Sequence, residues 1–369
     1  MSDVGNWIDD GTRELDQPRA EAVTQEVVER VWKAPRRGGL VVGVGGPRWR
    51  FVLGFGHVAR GDVMPTAETV FEIASVTKVF TALALVILAG RRLVQLDDPV
   101  RMALPETVRV PSWHGREITL RQLCLHTSGL PKHPRGTPWR WLRHPSRPYA
   151  GLTTGAVFRD LGRTRLRNEP GSRWEYSNLG MGMLGIALAQ VTGASYETLI
   201  NDLICAPLGL GHTRVAPTAD DQLAVGYGRF GHALEPGSHG SLAGAGDLRS
   251  CAADLMEFTR LGFGEGPDEL VRAARDSLAV RFPVSDGSEQ ALGWRIWRVR
   301  DDEWPGHGGD SAGFRSSVSF HVPSRTALVA LSNGTHGAQT WFDALVPELW
   351  KGLQAASSRP SSRFHDAMR

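Results

Sequence analysis

Residues 71–90 read FEIASVTKVFTALALVILAG, and this stretch decides how the rest of the chain is read. From Val79 to Leu88 the apolar residues follow one another around the whole circumference of a helix rather than along one stripe, the pattern of a helix that runs through a core. The run is too short to cross a bilayer, which takes about 20 residues. Ser75 and Lys78 stand at i and i+3 where this helix opens, so both side chains share one face. A serine hydroxyl becomes a nucleophile when a neighbouring base takes its proton, and a lysine does so only when burial lowers its pKa. The amino-terminal end of such a helix also favours negative charge developing on a reacting carbonyl oxygen. Taken alone, the pair fits a snorkelling surface lysine equally well.

Two further features join it. Tyr176, Ser177 and Asn178 follow Pro170–Glu175 and precede a glycine-punctuated helix from Leu179. A tyrosine in an electropositive pocket can act as a phenolate base, and an asparagine amide can hold a substrate carbonyl or orient the lysine. The bland alternative is a turn with a half-buried aromatic. Further on, Gly306, His307, Gly308, Gly309 and Asp310 lead into Gly313, Phe314, Arg315 and a strand. Glycines there let a substrate lie against a strand edge, a backbone N–H completes an oxyanion pair, and His307 could donate a hydrogen bond. The alternative for His307 is a plain loop residue.

Composition narrows the classes. A chain of 369 residues with 41% hydrophobic residues buries a large core. A net charge of +3, from 42 basic and 39 acidic residues spread along the chain, argues against a nucleic-acid partner. Lys33, Lys78, Lys132 and Lys351 are the lysines; every other basic residue is arginine, which stays protonated at any working pH. Cys124, Cys205 and Cys251 lack CxxC spacing, so neither a metal nor a redox site is expected. The polar segment Met1–Ala20 has no apolar signal core, and a cytoplasmic, membrane-free protein is expected.

Periodicity predicts a helix over Glu21–Lys33 and a hairpin from Leu40–Val44 and Trp49–Val58. The chain from Ser75 to Gly264 is mostly helical, as in Met181–Thr192 and Cys251–Leu261. Strands return at Leu292–Val299, Phe314–Val322 and Thr326–Leu331, before a helix over Ala338–Leu353. The expected fold is therefore α/β, of the α+β kind. Residues 1–74 and 280–355 form an antiparallel sheet lobe flanked by helices, 75–279 a mostly helical lobe, and 356–369 a flexible tail.

Ser75-x-x-Lys78, Tyr176-x-Asn178 and His307-x-Gly309 occur in the order and separations of the class C β-lactamase-like serine hydrolases, which the chain resembles from Leu40 to Leu353. Blocks at Phe71–Lys78, Ile118–Pro131 with His126, Cys205–Thr213 and Ala243–Leu255 also resemble that family. The resemblance implies a β-lactamase/transpeptidase-like fold with the site between the two lobes. It implies Ser75 as the acylated nucleophile, Lys78 and Tyr176 sharing its proton, and the backbone N–H groups of Ser75 and Asp310 as oxyanion donors. Asn178, His307 and Gly309 would line the cleft, and no metal or organic cofactor is called for.

The chain departs from true β-lactamases by carrying His307 where they usually carry lysine, which weakens recognition of a β-lactam carboxylate. Histidine variants of the family resemble esterases, amidases and acyltransferases. Residues Pro131–Ala150 carry Lys132, Arg135, Arg140, Arg143 and Arg147 with Trp139, Trp141 and Tyr149, and no acid. This is either a solvated basic loop or a lid whose aromatics, Trp139 and Trp141, bind a flat or anionic substrate. The expected activity is hydrolysis of a carboxylic ester or amide through acyl-Ser75. The alternative is transfer of the acyl group to an amine or alcohol acceptor in natural-product biosynthesis; a β-lactamase, a D-amino peptidase and a non-catalytic binder rank lower. The expected partner is a small acyl substrate.

Overall fold

The computed structural model describes residues 15–32, 38–59, 63–144, 146–228, 231–299, 302–334 and 338–357. Gly45 and the residues after it turn the chain between β1 (Gly38–Gly45) and β2 (Arg50–His57), which pair antiparallel from Gly38↔His57 to Gly45↔Arg50. A short strand β3 (Phe71–Glu72) pairs with β4 (Arg249–Ser250) and forms a small separate ribbon. The rest of the main sheet comes from late in the chain: β5 (Arg281–Pro283), β6 (Glu289–Ala291), β7 (Arg295–Val299), β8 (Asp302–Ser311), β9 (Phe314–His321) and β10 (Thr326–Ser332). All eight strands run antiparallel to their neighbours in the order β2-β1-β10-β9-β8-β7-β6-β5.

Alternation along the strands separates two cores. On one face Leu40, Val42, Val44, Leu328 and Ala330 meet the helix Gln17–Val31 through Val27 and Val28, and the helix Ala338–Ser357 through Trp341, Leu345 and Leu349. On the other face Val41, Val329, Val318, Phe320 and Ile296 join the helical part of the chain. The helix Thr77–Gly90 is buried on every side from Thr77 to Leu88, as its all-round apolar sequence predicts. Phe80 stacks on Phe258 at 4.3 Å, locking it to the helix Ala252–Thr259.

Three differences from the sequence reading have physical causes. The glycine-rich 306–310 segment is not a turn before a strand but lies inside β8. Its glycines answer to close approach: a Cβ on Gly306 would come 2.9 Å from Trp297 and Ser319, and one on Gly309 2.2 Å from Ser316 Oγ. The short strands β5 and β6 and the first half of β8 carry few apolar residues and were not expected. The carboxy-terminal helix runs on to Ser357 because Leu353 and Ala356 still pack in the outer core, so no tail begins at 356; residues 358–369 lie outside the described residues.

β7 pairs with β8 only as far as Arg295↔Gly306. From His307 to Ser311, β8 therefore has β9 on one side and a cavity on the other.

Candidate active site

Ser75 sits in a short 3₁₀ turn, Ala74–Val76, that feeds directly into the helix Thr77–Gly90. Ala74, immediately before it, has φ 45°, a left-handed conformation that costs a non-glycine residue energy and is kept only where surroundings enforce it. Those surroundings are visible: Ser316 Oγ donates to Ile73 O at 2.7 Å, and Gly309 lies so close that a Cβ would stand 2.3 Å from the same oxygen. Of Phe71–Phe80, Ser75 is the only residue not buried, so the turn presents its hydroxyl to the cavity while the flanking residues face the core.

Lys78 Nζ stands 2.9 Å from Ser75 Oγ and donates to Ala245 O at 2.5 Å. The side chain is fully buried, and desolvation, reinforced by the Lys132 charge, holds the amine well below its ordinary pKa of 10.5. On the other side the Tyr176 hydroxyl donates to Ser75 Oγ at 2.7 Å. Desolvation pushes this phenol above its ordinary value, with the bond to Ser75 opposing. A phenolate base is therefore disfavoured in the resting site. The Tyr176 shift keeps the phenol as a donor, and the Lys78 shift favours the free amine that can accept the serine proton.

Tyr176 and Asn178 are placed by a helix cap. Ser177 accepts the Gly180 N–H at 2.8 Å at the start of the helix Asn178–Thr192 and donates to Pro131 O, while Lys132 O accepts from the N–H groups of Asn178 and Leu179. The Asn178 amide lies beside the Tyr149 phenol, and its Oδ1 is buried without a hydrogen-bond partner.

His307 Nδ1 donates to Gly308 O at 2.8 Å, so Nε2 carries the lone pair and can only accept. Burial lowers its pKa to about 3, and no cation stands at this position near pH 7. The Asp310 carboxylate pairs with Arg315, 3.2 Å off, and burial raises its pKa against that pairing.

Of the two tryptophans in the 131–150 segment, Trp141 lines the cavity and meets the His133 ring edge-on at 4.7 Å. Trp139, on the short helix Thr137–Arg143, is 73% exposed and is not among the lining residues. One cavity of about 1120 Å³ contains Ser75, Tyr176, Asn178, His307 and Gly309.

The structure adds residues that the sequence reading did not single out. His126 Nδ1 accepts the Ser177 N–H at 3.2 Å and its ring lies 4.5 Å from that of Tyr176, orienting the phenol from behind. His126 has φ 59°, a second strained position at the site, and the only sequence signal was its place in a family block. Glu72 is buried with a raised pKa caused first by desolvation; it accepts from Gly237 N–H and Ser311 Oγ and so ties β3 to the end of β8. Among the described residues no group of His, Cys, Asp and Glu is arranged to hold a metal ion, and no helix is long and apolar enough to cross a membrane.

The Beta-lactamase family model matches residues 23–345. The D-alanyl-D-alanine-carboxypeptidase/endopeptidase AmpH of Escherichia coli (strain K12) is 35% identical over 168 residues, which cover 45% of this chain and 42% of that protein. The Unguisins hydrolase ungD' of Aspergillus campestris (strain IBT 28561) is 26% identical over 95% of this chain and 67% of that protein. The match thus spans less than half of the first of these relatives. Among solved structures, the β-lactamase/D-alanine carboxypeptidase of Pseudomonas syringae superposes with a TM-score of 0.78 at 20% identity, covering 90% of this chain and 98% of that one.

Proposed function

The chain belongs to the Beta-lactamase family, and on that premise we propose that it cleaves a small carboxylic ester, or an amide, through an acyl-Ser75 intermediate discharged by water. The observation that carries this reading is the convergence of Lys78 Nζ at 2.9 Å and the Tyr176 hydroxyl at 2.7 Å on one Ser75 Oγ, with the amine desolvated.

In the acylation step the Ser75 O–H proton passes to neutral Lys78 as Oγ bonds to the substrate carbonyl carbon. The carbonyl oxygen takes the negative charge between the N–H groups of Ser75 and Asp310, which the packing of Gly309 on the nucleophile turn supports. Collapse breaks the bond to the leaving group, which receives the Tyr176 proton while Lys78 reprotonates the phenol. Water then attacks the acyl-enzyme with the same groups returning their protons. Asn178, which lines the same cavity, offers its amide to a polar group of the substrate. A cytoplasmic location belongs to this proposal, supported by three buried cysteines that are all unpaired.

The test is p-nitrophenyl acetate and butyrate turnover beside a Ser75→Ala control, with and without an added amine, and products identified by mass spectrometry. Free acid as the product of a Ser75-dependent reaction supports the hydrolase. Amide formation outrunning hydrolysis makes the enzyme an acyltransferase. Because His307 is neutral, nitrocefin turnover below about 1 per second is expected.

A further inference from the structure

The cavity that holds Ser75 does not end at the reacting centre. Beyond Gly308 and Asp310 it continues as a groove between the outer face of β7–β9 and the helix Ala338–Ser357, bounded by Trp297, Trp304, Ser317, Val346, Pro347 and Trp350. Its volume of about 1120 Å³ lies above the range of roughly 300–1,000 Å³ usual for small-molecule sites. Trp297 is 42% exposed although it sits on a strand inside the sheet, and Trp350 meets Trp304 edge-on at 4.3 Å, so aromatic surface is left facing open space.

The passage from Ser75 is kept open by Gly308, where a Cβ would meet nothing nearer than 3.8 Å, whereas Cβ atoms at Gly306 and Gly309 would collide with neighbours. Together these features describe a lined channel rather than a packing defect.

We propose that this groove is a second binding site, which takes the distal arm of the substrate. The arm is a long apolar chain, alkyl or arylalkyl, that packs on the aromatic surface of Trp297 and Trp350. The inference deepens the acyl-Ser75 reading and rests on it for the identity of the occupant, but the groove is testable without the chemistry.

The full-length Ser75→Ala protein is titrated with decanoate and with acetate, following tryptophan fluorescence and heat. Decanoate binds and quenches the fluorescence while acetate does neither. Adding Trp297→Ala, a half-exposed position outside the core, weakens decanoate binding at least tenfold. Adding Gly308→Leu, where there is room for a side chain, abolishes it. In the Ser75 enzyme the ratio of kcat/KM for p-nitrophenyl decanoate over acetate falls at least tenfold in both variants. Decanoate affinity within twofold of the parent in both variants, or no decanoate binding at all, overturns the groove even if acetate esters turn over. Decanoate binding without any ester turnover upholds the groove and overturns the acyl-Ser75 reading instead.

Discussion

Lys78 Nζ lies 4.9 Å over the Tyr176 ring, both side chains reach the same Ser75 Oγ, and burial moves their ionisations apart: the amine downward, the phenol upward. Protonated Lys78 cannot accept the serine proton, so kcat/KM falls as pH drops through the depressed Lys78 pKa and rises to a plateau above it. Tyr176 stays protonated, so that plateau extends past pH of about 10, the ordinary tyrosine value. A pH–rate profile on p-nitrophenyl acetate checks this, and an alkaline limb at or below that ordinary value contradicts the assignment.

The same depression is a stability statement. Between the lowered Lys78 pKa and the ordinary 10.5 the unfolded chain binds a proton that the folded chain does not, so folded stability rises with pH across that window. Lys78→Met removes this dependence along with the general base. Thermal unfolding of the two proteins over a pH series is expected to show the Met variant's relative stability declining by up to about 1.4 kcal/mol per pH unit toward the alkaline end, with activity lowered by roughly 10²–10⁴. A pH-independent difference means the amine is not desolvated.

Gly309 and Gly308 are neighbours in β8 with opposite steric surroundings. A Cβ on Gly309 would meet Ser316 Oγ at 2.2 Å and Ile73 O at 2.3 Å, so Gly309→Ala must push the strand off the nucleophile turn. A stability loss of about 1–3 kcal/mol is expected, with a fall in kcat of roughly 10²-fold, the size of a lost oxyanion donor. Gly308→Ala, which meets nothing closer than 3.8 Å, is expected to keep the wild-type melting temperature. Equal effects at both positions contradict the packing argument.

Trp141 lines the cavity and Trp139 does not. Trp141→Ala is expected to raise KM by roughly threefold to tenfold, the worth of one aromatic contact of about 0.5–1.5 kcal/mol, with kcat little changed. Trp139→Ala leaves KM alone. Steady-state kinetics on the butyrate ester separates the two, and an equal rise in both restores the whole loop as a lid.

The core helix was legible because an all-round apolar run from Val79 to Leu88 has one physical meaning, and the β1–β2 hairpin because Gly45, Gly46 and Pro47 punctuate two β-branched runs. β8 was not. A strand with three glycines, one histidine and two aspartates has the composition of a turn, and only the neighbours that press on Gly306 and Gly309 explain it. At the site, spacing brought Ser75 to Lys78, but the groups that tune them lie elsewhere in the chain: Ala245 through a carbonyl, His126 through the Ser177 N–H, Lys132 through its charge. The direction of the Tyr176 shift and the tautomer of His307 depend on burial and on one carbonyl, Gly308 O, that no spacing rule reveals.

The most direct test of the account is covalent. The full-length protein is treated with a fluorophosphonate, and the adduct is located by intact-mass measurement and peptide mapping. One adduct per chain on the peptide containing Ser75, absent in Ser75→Ala and formed much more slowly in Lys78→Met, is the predicted result. A label that persists in Ser75→Ala, or a wild-type protein that takes none, contradicts the assignment of Ser75 as the nucleophile.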